Sequence, residues 1–187
     1  MENNNIETLL GLLAKLGVCR TGRRYLAGTK MDFDTLVKVW RGWPEFLCEH
    51  SEEACRLLRE HLTADDRIRL AKENLFFDFK GVATLENTIH PVFVSGDSDV
   101  QLHVPEYAAV KLYAFNTATA YIAMRDNAIL NAETYDCSRL RVYDGWRGKT
   151  MCYRYDDSEV YGVERVVSKE YVRGDVFNGK EIRGEDT

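Results

Sequence analysis

From Asp78 onward an apolar residue falls at every tenth position: Val82, Val92, Leu102, Leu112, Ile122, Ala132, Val142 and Cys152. Eight ten-residue units follow one another without a gap, from "DFKGVATLEN" to "GKTMCYRYDD". A fixed, ungapped period restricts the chain to folds made of one repeated supersecondary unit. Within a unit the apolar or small residues take positions one, three, five and seven, as at Ala108, Val110, Leu112 and Ala114. That alternation describes a seven-residue strand with one buried face. The remaining positions carry Asn116, Asp126, Asp136 and Asp156, residues that bond their own backbone and tolerate tight turns. Each unit therefore reads as one strand and one corner.

Two architectures share this pattern. An antiparallel β-meander with three-residue hairpin loops needs glycine or asparagine in the left-handed position of most turns, and only "SGD" and "DGW" supply glycine. A β-solenoid stacks parallel strands so that like residues form ladders, with small side chains where the interior narrows. Thr88, Ser98, Ala108, Ala118, Ala128, Ser138 and Gly148, the first residues of successive units, suit such a corner. The solenoid is favoured, with two units, hence about twenty residues, per coil and about four coils.

Before the repeats the period is helical. Ile6, Leu9, Leu10, Leu13 and Leu16 recur at three- and four-residue spacing, with Gly17 at the C-cap position. A short segment bounded by Gly22 and Gly28 follows. The next helix opens at Asp32 or Asp34 and stops before Pro44, since the residue preceding proline is biased away from helix. Ser51 starts another, with Ala54, Leu57, Leu58 and Leu62 on one face, and Thr63 caps a last one. Short amphipathic helices cannot bury their stripes alone, so four or five pieces should form a compact cap. The fold class expected is α+β: a helical part over 1–77, a decamer-repeat β-solenoid over 78–160, and C-terminal capping strands and a frayed tail over 161–187. Asn178-Gly179 marks a hairpin in that tail, placed to cover the solenoid's open edge.

No window approaches the eighteen apolar residues of a membrane span, and the N-terminus lacks a basic leader, so a cytoplasmic protein without membrane association is expected. Five cysteines, an odd number at irregular spacing, fit reduced thiols there. The formal charge of −5 lies wholly in residues 78–187, which carry 13 Lys and Arg against 18 Asp and Glu. Without a basic stripe to release counterions, a nucleic-acid partner is disfavoured.

Chemical signatures are few. Cys48, His50, Cys55 and His61 form the one metal-like cluster, but a spacing of seven puts both cysteines on one helical face, and buried packing is the better reading. No G-x-S-x-G, phosphate loop, G-x-G-x-x-G or HExxH is present, so no catalytic residue, cofactor or metal is assigned.

"GVCRTGRRYLAG" and "TYDCSRLRVYDG" are similar to segments of uncharacterised bacterial and phage-associated proteins, in which a short helical C-x-x-G-x-x-[WY]-L core precedes A-x-V-x-A-Y-D-S repeats. Cys19, Gly22, Tyr25 and Leu26 match the first motif; Tyr135, Asp136, Ser138, Leu140, Val142, Tyr143 and Asp144 echo the second. The repeats of that group are shorter than ten residues. The resemblance implies a phage or mobile-element setting and carries no activity.

Stacking alternate units gives two outward faces. One shows Phe79, Asp99, Gln101, His103, Thr119, Tyr121, Arg139, Arg141 and Tyr143; the other is led by Ile89, Phe93, Tyr113 and Ile129 and is apolar enough to need the helical cap or the tail over it. Asp99, Gln101, His103, Tyr121, Arg139, Arg141 and Tyr143 form the candidate binding surface, of a kind suited to a protein or a glycan. The expected function is a non-enzymatic interaction module. A carbohydrate-active or glycan-binding β-helix protein is the alternative, and an acidic nucleic-acid mimic a weaker one, because Lys and Arg are interspersed throughout the repeats.

Overall fold

The computed structural model describes residues 3–16, 20–85, 88–143 and 147–168. Among these residues six helices come first: α1 (Asn3–Lys15), α2 (Arg20–Ala27), α3 (Phe33–Gly42), α4 (Pro44–Glu49), α5 (Ser51–His61) and α6 (Ala64–Lys72). Eleven strands follow: β1 (Leu75–Phe77), β2 (Lys80–Thr84), β3 (Val92–Ser95), β4 (Asp99–Val104), β5 (Ala109–Ala114), β6 (Thr119–Met124), β7 (Ile129–Thr134), β8 (Arg139–Tyr143), β9 (Lys149–Arg154), β10 (Glu159–Tyr161) and β11 (Arg165–Ser168). Odd strands form one sheet in the order β1-β3-β5-β7-β9-β11, even strands another in the order β10-β8-β6-β4-β2. Every strand pair is parallel. The chain is a β-solenoid of about four coils behind a helical cap, and the meander is excluded. Among the described residues no helix is long and apolar enough to cross a membrane.

The ladders run as the ten-residue period requires. Leu102, Ile122 and Val142 are register partners in the five-stranded sheet; Val92, Leu112, Ala132 and Cys152 are partners in the six-stranded one. Nearly all are fully buried and meet in one core cluster between the sheets. At the corners Ser98, Ala118 and Ser138 are buried as expected, joined by Ser158. The serines do more than save space. Ser98 Oγ donates to the Ser95 carbonyl at 2.7 Å, Ser138 Oγ to that of Ala114 at 3.2 Å, and Ser158 Oγ to that of Tyr155 at 2.7 Å. Buried backbone acceptors at the bends are thereby satisfied.

Three expectations need correction. Val82 faces solvent, 62% exposed, because β2 pairs with β4 at a spacing of nineteen, Val82 opposite Gln101 and Ala83 opposite Leu102. A one-residue slip turns every side chain to the other face. The first coil is shorter still in the other sheet, where Leu75 pairs with Phe93. Phe79 does not join the outward face either; it packs edge-on to Phe76 at 5.3 Å, at the first coil. Finally, glycine scarcity does not separate the two architectures, since the solenoid corners themselves adopt left-handed backbone at Gly96, Asn116, Asp136 and Asp156 on one side and at Tyr107, Asn127 and Arg147 on the other. Asn and Asp enter that region readily. Two of them are held by a carboxylate of the next coil: Asn116 N–H donates to Asp136 Oδ2 at 2.7 Å and Asp136 N–H to Asp156 Oδ2 at 3.1 Å.

The ladder also begins before residue 78 and ends after 160, with β1 and β11 as its terminal rungs in the six-stranded sheet. The Asn178-Gly179 hairpin and the Gly17 cap lie outside the described residues. In the cap, Asp32 rather than Asp34 is the N-cap of α3, accepting from Thr35 N–H at 3.1 Å. Thr63 and Asp66 form a reciprocal capping box at α6. The helical pieces exceed the four or five expected because α2 runs through Gly22 and because Pro44 sits in the first turn of a further helix, α4, where its missing N–H costs nothing.

The cap lies on the six-stranded sheet. Its helices share a core with Leu75, Phe77, Phe93, Tyr113, Phe115 and Tyr135. Arg59 clamps the first corner, bonding Asp78 through Nε at 2.9 Å and a terminal nitrogen at 3.0 Å and reaching Asp97 at 3.2 Å. Asp78 Oδ1 also accepts the Asp97 N–H at 2.8 Å. A Cβ on Gly96, at φ +67°, would come 2.3 Å from Asp78 Oδ1. Gly96→Val should therefore expel Asp78 from the clamp as well as strain the backbone, lowering stability by about 2–4 kcal/mol in denaturant unfolding.

Candidate functional site

With the cap on one sheet, the five-stranded sheet keeps its outer face in solvent. Alternation along β4, β6, β8 and β10 sends every second side chain outward, and parallel register aligns them in three columns spaced by about 4.8 Å per coil. The first column is Lys80, Asp99, Thr119, Arg139 and Glu159; the second Val82, Gln101, Tyr121, Arg141 and Tyr161; the third Thr84, His103, Ala123 and Tyr143. All seven residues singled out from sequence (Asp99, Gln101, His103, Tyr121, Arg139, Arg141 and Tyr143) occupy this one face. Asp99, Gln101, Arg139, Arg141 and Tyr143 are exposed, while His103 and Tyr121 are half-buried.

Side chains hold one another in place along the columns and across them. Arg139 Nε lies 3.2 Å from Glu159 Oε2, and the Arg141 guanidinium lies 5.4 Å from the centre of the Tyr161 ring. Stacking on an aromatic face orients a guanidinium while its edge nitrogens remain open to a ligand. Gln101 Nε2 and His103 Nε2 are 3.3 Å apart, a hydrogen bond whose direction follows the imidazole tautomer. Glu159 and Tyr161 were missed from sequence, although each stands twenty residues beyond a residue that was named, Arg139 and Arg141.

At the end of the third column the surface dips into an open depression of about 370 Å³, lined by His103, Glu106, Ala123, Met124, Arg125 and Asp126. It joins strand residues to two successive corners. Of these six only His103 was named from sequence, as an outward residue of the sheet, because the corner residues gain a common location only once consecutive coils are stacked.

The chain matches no protein-family profile, no curated protein and no solved structure.

Beneath the cap lies a different polar group. Lys111 is paired with Glu133, whose other oxygen accepts from the Tyr135 hydroxyl at 2.5 Å, and the Tyr135 and Tyr155 rings stack at 4.5 Å with an interplanar angle of 1°. Burial, above all, pushes the Tyr155 hydroxyl up to about 12 and that of Tyr135 higher. These groups are protonated in any ordinary buffer and serve to seat the cap.

Cys48 and Cys55 pack in the cap core, and among the described residues no group of three or more His, Cys, Asp or Glu side chains stands close enough to hold a metal ion. Burial raises the Cys48 thiol far above its ordinary value and Cys55 to about 12. Cys152 is buried too, whereas Cys137 is exposed at a corner. Of these four thiols, Cys137 should react first with iodoacetamide near pH 8 and the other three only on unfolding, since alkylation requires accessible thiolate. Mass mapping that finds Cys48 or Cys55 labelled alongside Cys137 in native protein would contradict this packing.

Proposed function

We propose that the protein is a non-enzymatic interaction module that holds a protein or glycan partner on the outer face of its five-stranded sheet. The carrying observation is the asymmetry of the solenoid: the helices bury aromatic groups of one sheet, while the other leaves Tyr121, Arg141, Tyr143 and Tyr161 as a patch in solvent. Tyrosine and arginine are the residue types that most often anchor interfaces. They are mounted on rigid parallel strands, so little conformational entropy is lost on binding. Mixed signs along the first column, from Lys80 and Asp99 to Arg139 and Glu159, argue against an acidic nucleic-acid mimic. The similarity of the two short segments to phage-associated proteins supports a setting in a phage or mobile element.

The test compares wild type with Tyr121→Ala/Arg141→Ala on glycan and protein arrays. Both side chains point away from the core, so the melting temperature should hold while binding of any captured ligand weakens by about tenfold or more. Undiminished capture by the double variant contradicts the assignment of this face.

A further inference from the structure

The first outward column of the five-stranded sheet runs Lys80, Asp99, Thr119, Arg139, Glu159, so its charges read plus, minus, neutral, plus, minus. Read backwards, every sign is inverted. Resting on the reading of this face as a binding surface, we infer that its partner is a second copy of this chain, packed face to face about a two-fold axis along β6. Such an axis keeps the strand direction and reverses the order of the rungs, so each column meets itself in reverse. Lys80 then faces Glu159 of the second copy, and Asp99 faces its Arg139. Each charge of the column gains an opposite one and none meets its like. Within one chain Arg139 already touches Glu159 at 3.2 Å, but the pair is exposed and the guanidinium keeps further donors for a second carboxylate.

The other columns obey the same reversal. Val82 and Tyr161, 62% and 50% exposed at opposite ends of the second column, come together and cover each other. Gln101 offers its amide oxygen to Arg141, and Tyr121 lies against its own counterpart on the axis. In the third column His103 meets Tyr143, and Ala123 meets Ala123. A two-fold axis along the ladders instead would set Arg141 against Arg141, which like-charge repulsion disfavours. Aligned sheets pack about 10 Å apart with their side chains interdigitated, within reach of these long groups. Five strands at about 4.8 Å, of up to six residues at about 3.3 Å, make a face of about 24 by 20 Å. Two such faces cover about 1,000 Å² in projection, the lower end of specific interfaces, so the dimer is reversible, with a Kd of about micromolar order.

The experiment is sedimentation velocity on the full chain from about 1 to 500 µM. A species of 21.5 kDa should pass into one of twice that mass as concentration rises. Asp99→Arg and Arg139→Asp each place like charges together twice per dimer, and each should weaken association by about tenfold or more. The double variant Asp99→Arg/Arg139→Asp, and an equimolar mixture of the two single variants, should both dimerise again, because each restores opposite charges across the interface. Both side chains are exposed, so melting temperatures should hold. Should one single variant fail to fold, the other and the double variant still decide. A monomer throughout the range, a dimer that the single variants leave unchanged, or no recovery in the double variant overturns the inference. If the chain stays monomeric while Tyr121→Ala/Arg141→Ala weakens capture of a foreign protein or a glycan, the dimer falls and the binding face stands; a monomer that captures nothing ends both.

Discussion

Ile122→Asp is expected to abolish cooperative folding of the solenoid. Ile122 is fully buried, flanked in its ladder by Leu102 and Val142, and part of a core cluster shared with Leu112 and Ala132 of the facing sheet. A carboxylate there has no cation or hydrogen-bond donor to replace water, and such burial costs several kcal/mol, comparable with the whole stability of many domains, about 5–15 kcal/mol. The informative control is one residue away. Tyr121→Asp places the same charge on the outward side of the same strand, and its effect should stay near 1 kcal/mol or below. Urea unfolding followed by circular dichroism separates the two, and similar losses for both variants would mean that the alternation along β6 is misassigned.

Phe77→Ala should be the most damaging single truncation at the junction of cap and solenoid, at about 3–5 kcal/mol. Its ring is fully buried, meets Trp40 edge-on at 6.3 Å, and lies under Arg59 and Arg67, whose guanidinium carbons are 5.9 and 5.6 Å from its centre. The same arginines pair with Asp78, so loss of the ring also loosens the clamp on the first corner. Because coils of a solenoid touch mainly their neighbours, the damage should be local. Hydrogen exchange is expected to accelerate in α3, α5, α6 and β1 while β6 to β9 keep their protection. Uniform acceleration through both parts would show the chain to be one cooperative unit.

The period made the middle of the molecule readable, and its failure at the beginning shows where such reading stops. From Val92 to Tyr161 every coil spans twenty residues, so counting by tens identified the ladders, the inward residues and the outward face there correctly; the last rung, β11 on β9, comes only fourteen residues on. The first coil is shorter, and a count in tens cannot register a missing residue, which is why Val82 was placed inside. Capping was legible at Asp32 and Thr63 because those side chains act on backbone three residues away. The helix through Gly22 was not, since its support comes from tertiary packing that overrides local propensity. Of the exposed face, the strand residues were readable, but the depression was not: Glu106, Arg125 and Asp126 look like turn residues until two coils are superposed. Tyr107 and Arg147 show the same limit, for nothing in either residue type announces left-handed backbone.

The regular twenty-residue spacing from β3 to β10 has an evolutionary consequence. A coil in the middle of the stack meets similar coils above and below, so duplicating one in frame, for example residues 109–128, adds a rung to each sheet and extends the exposed face by about 4.8 Å; because Tyr113 and Phe115 belong to the core shared with the helices, it lengthens the sheet beneath the cap as well. Duplications of nineteen or twenty-one residues would turn later strands inside out. The shortened first coil, shaped to Arg59 and Phe77, is the part that cannot be copied in this way. Selection on such a protein can thus adjust the length of its exposed sheet in whole rungs, by recombination within the repeats, while the clamp of Arg59 on the first corner stays constant.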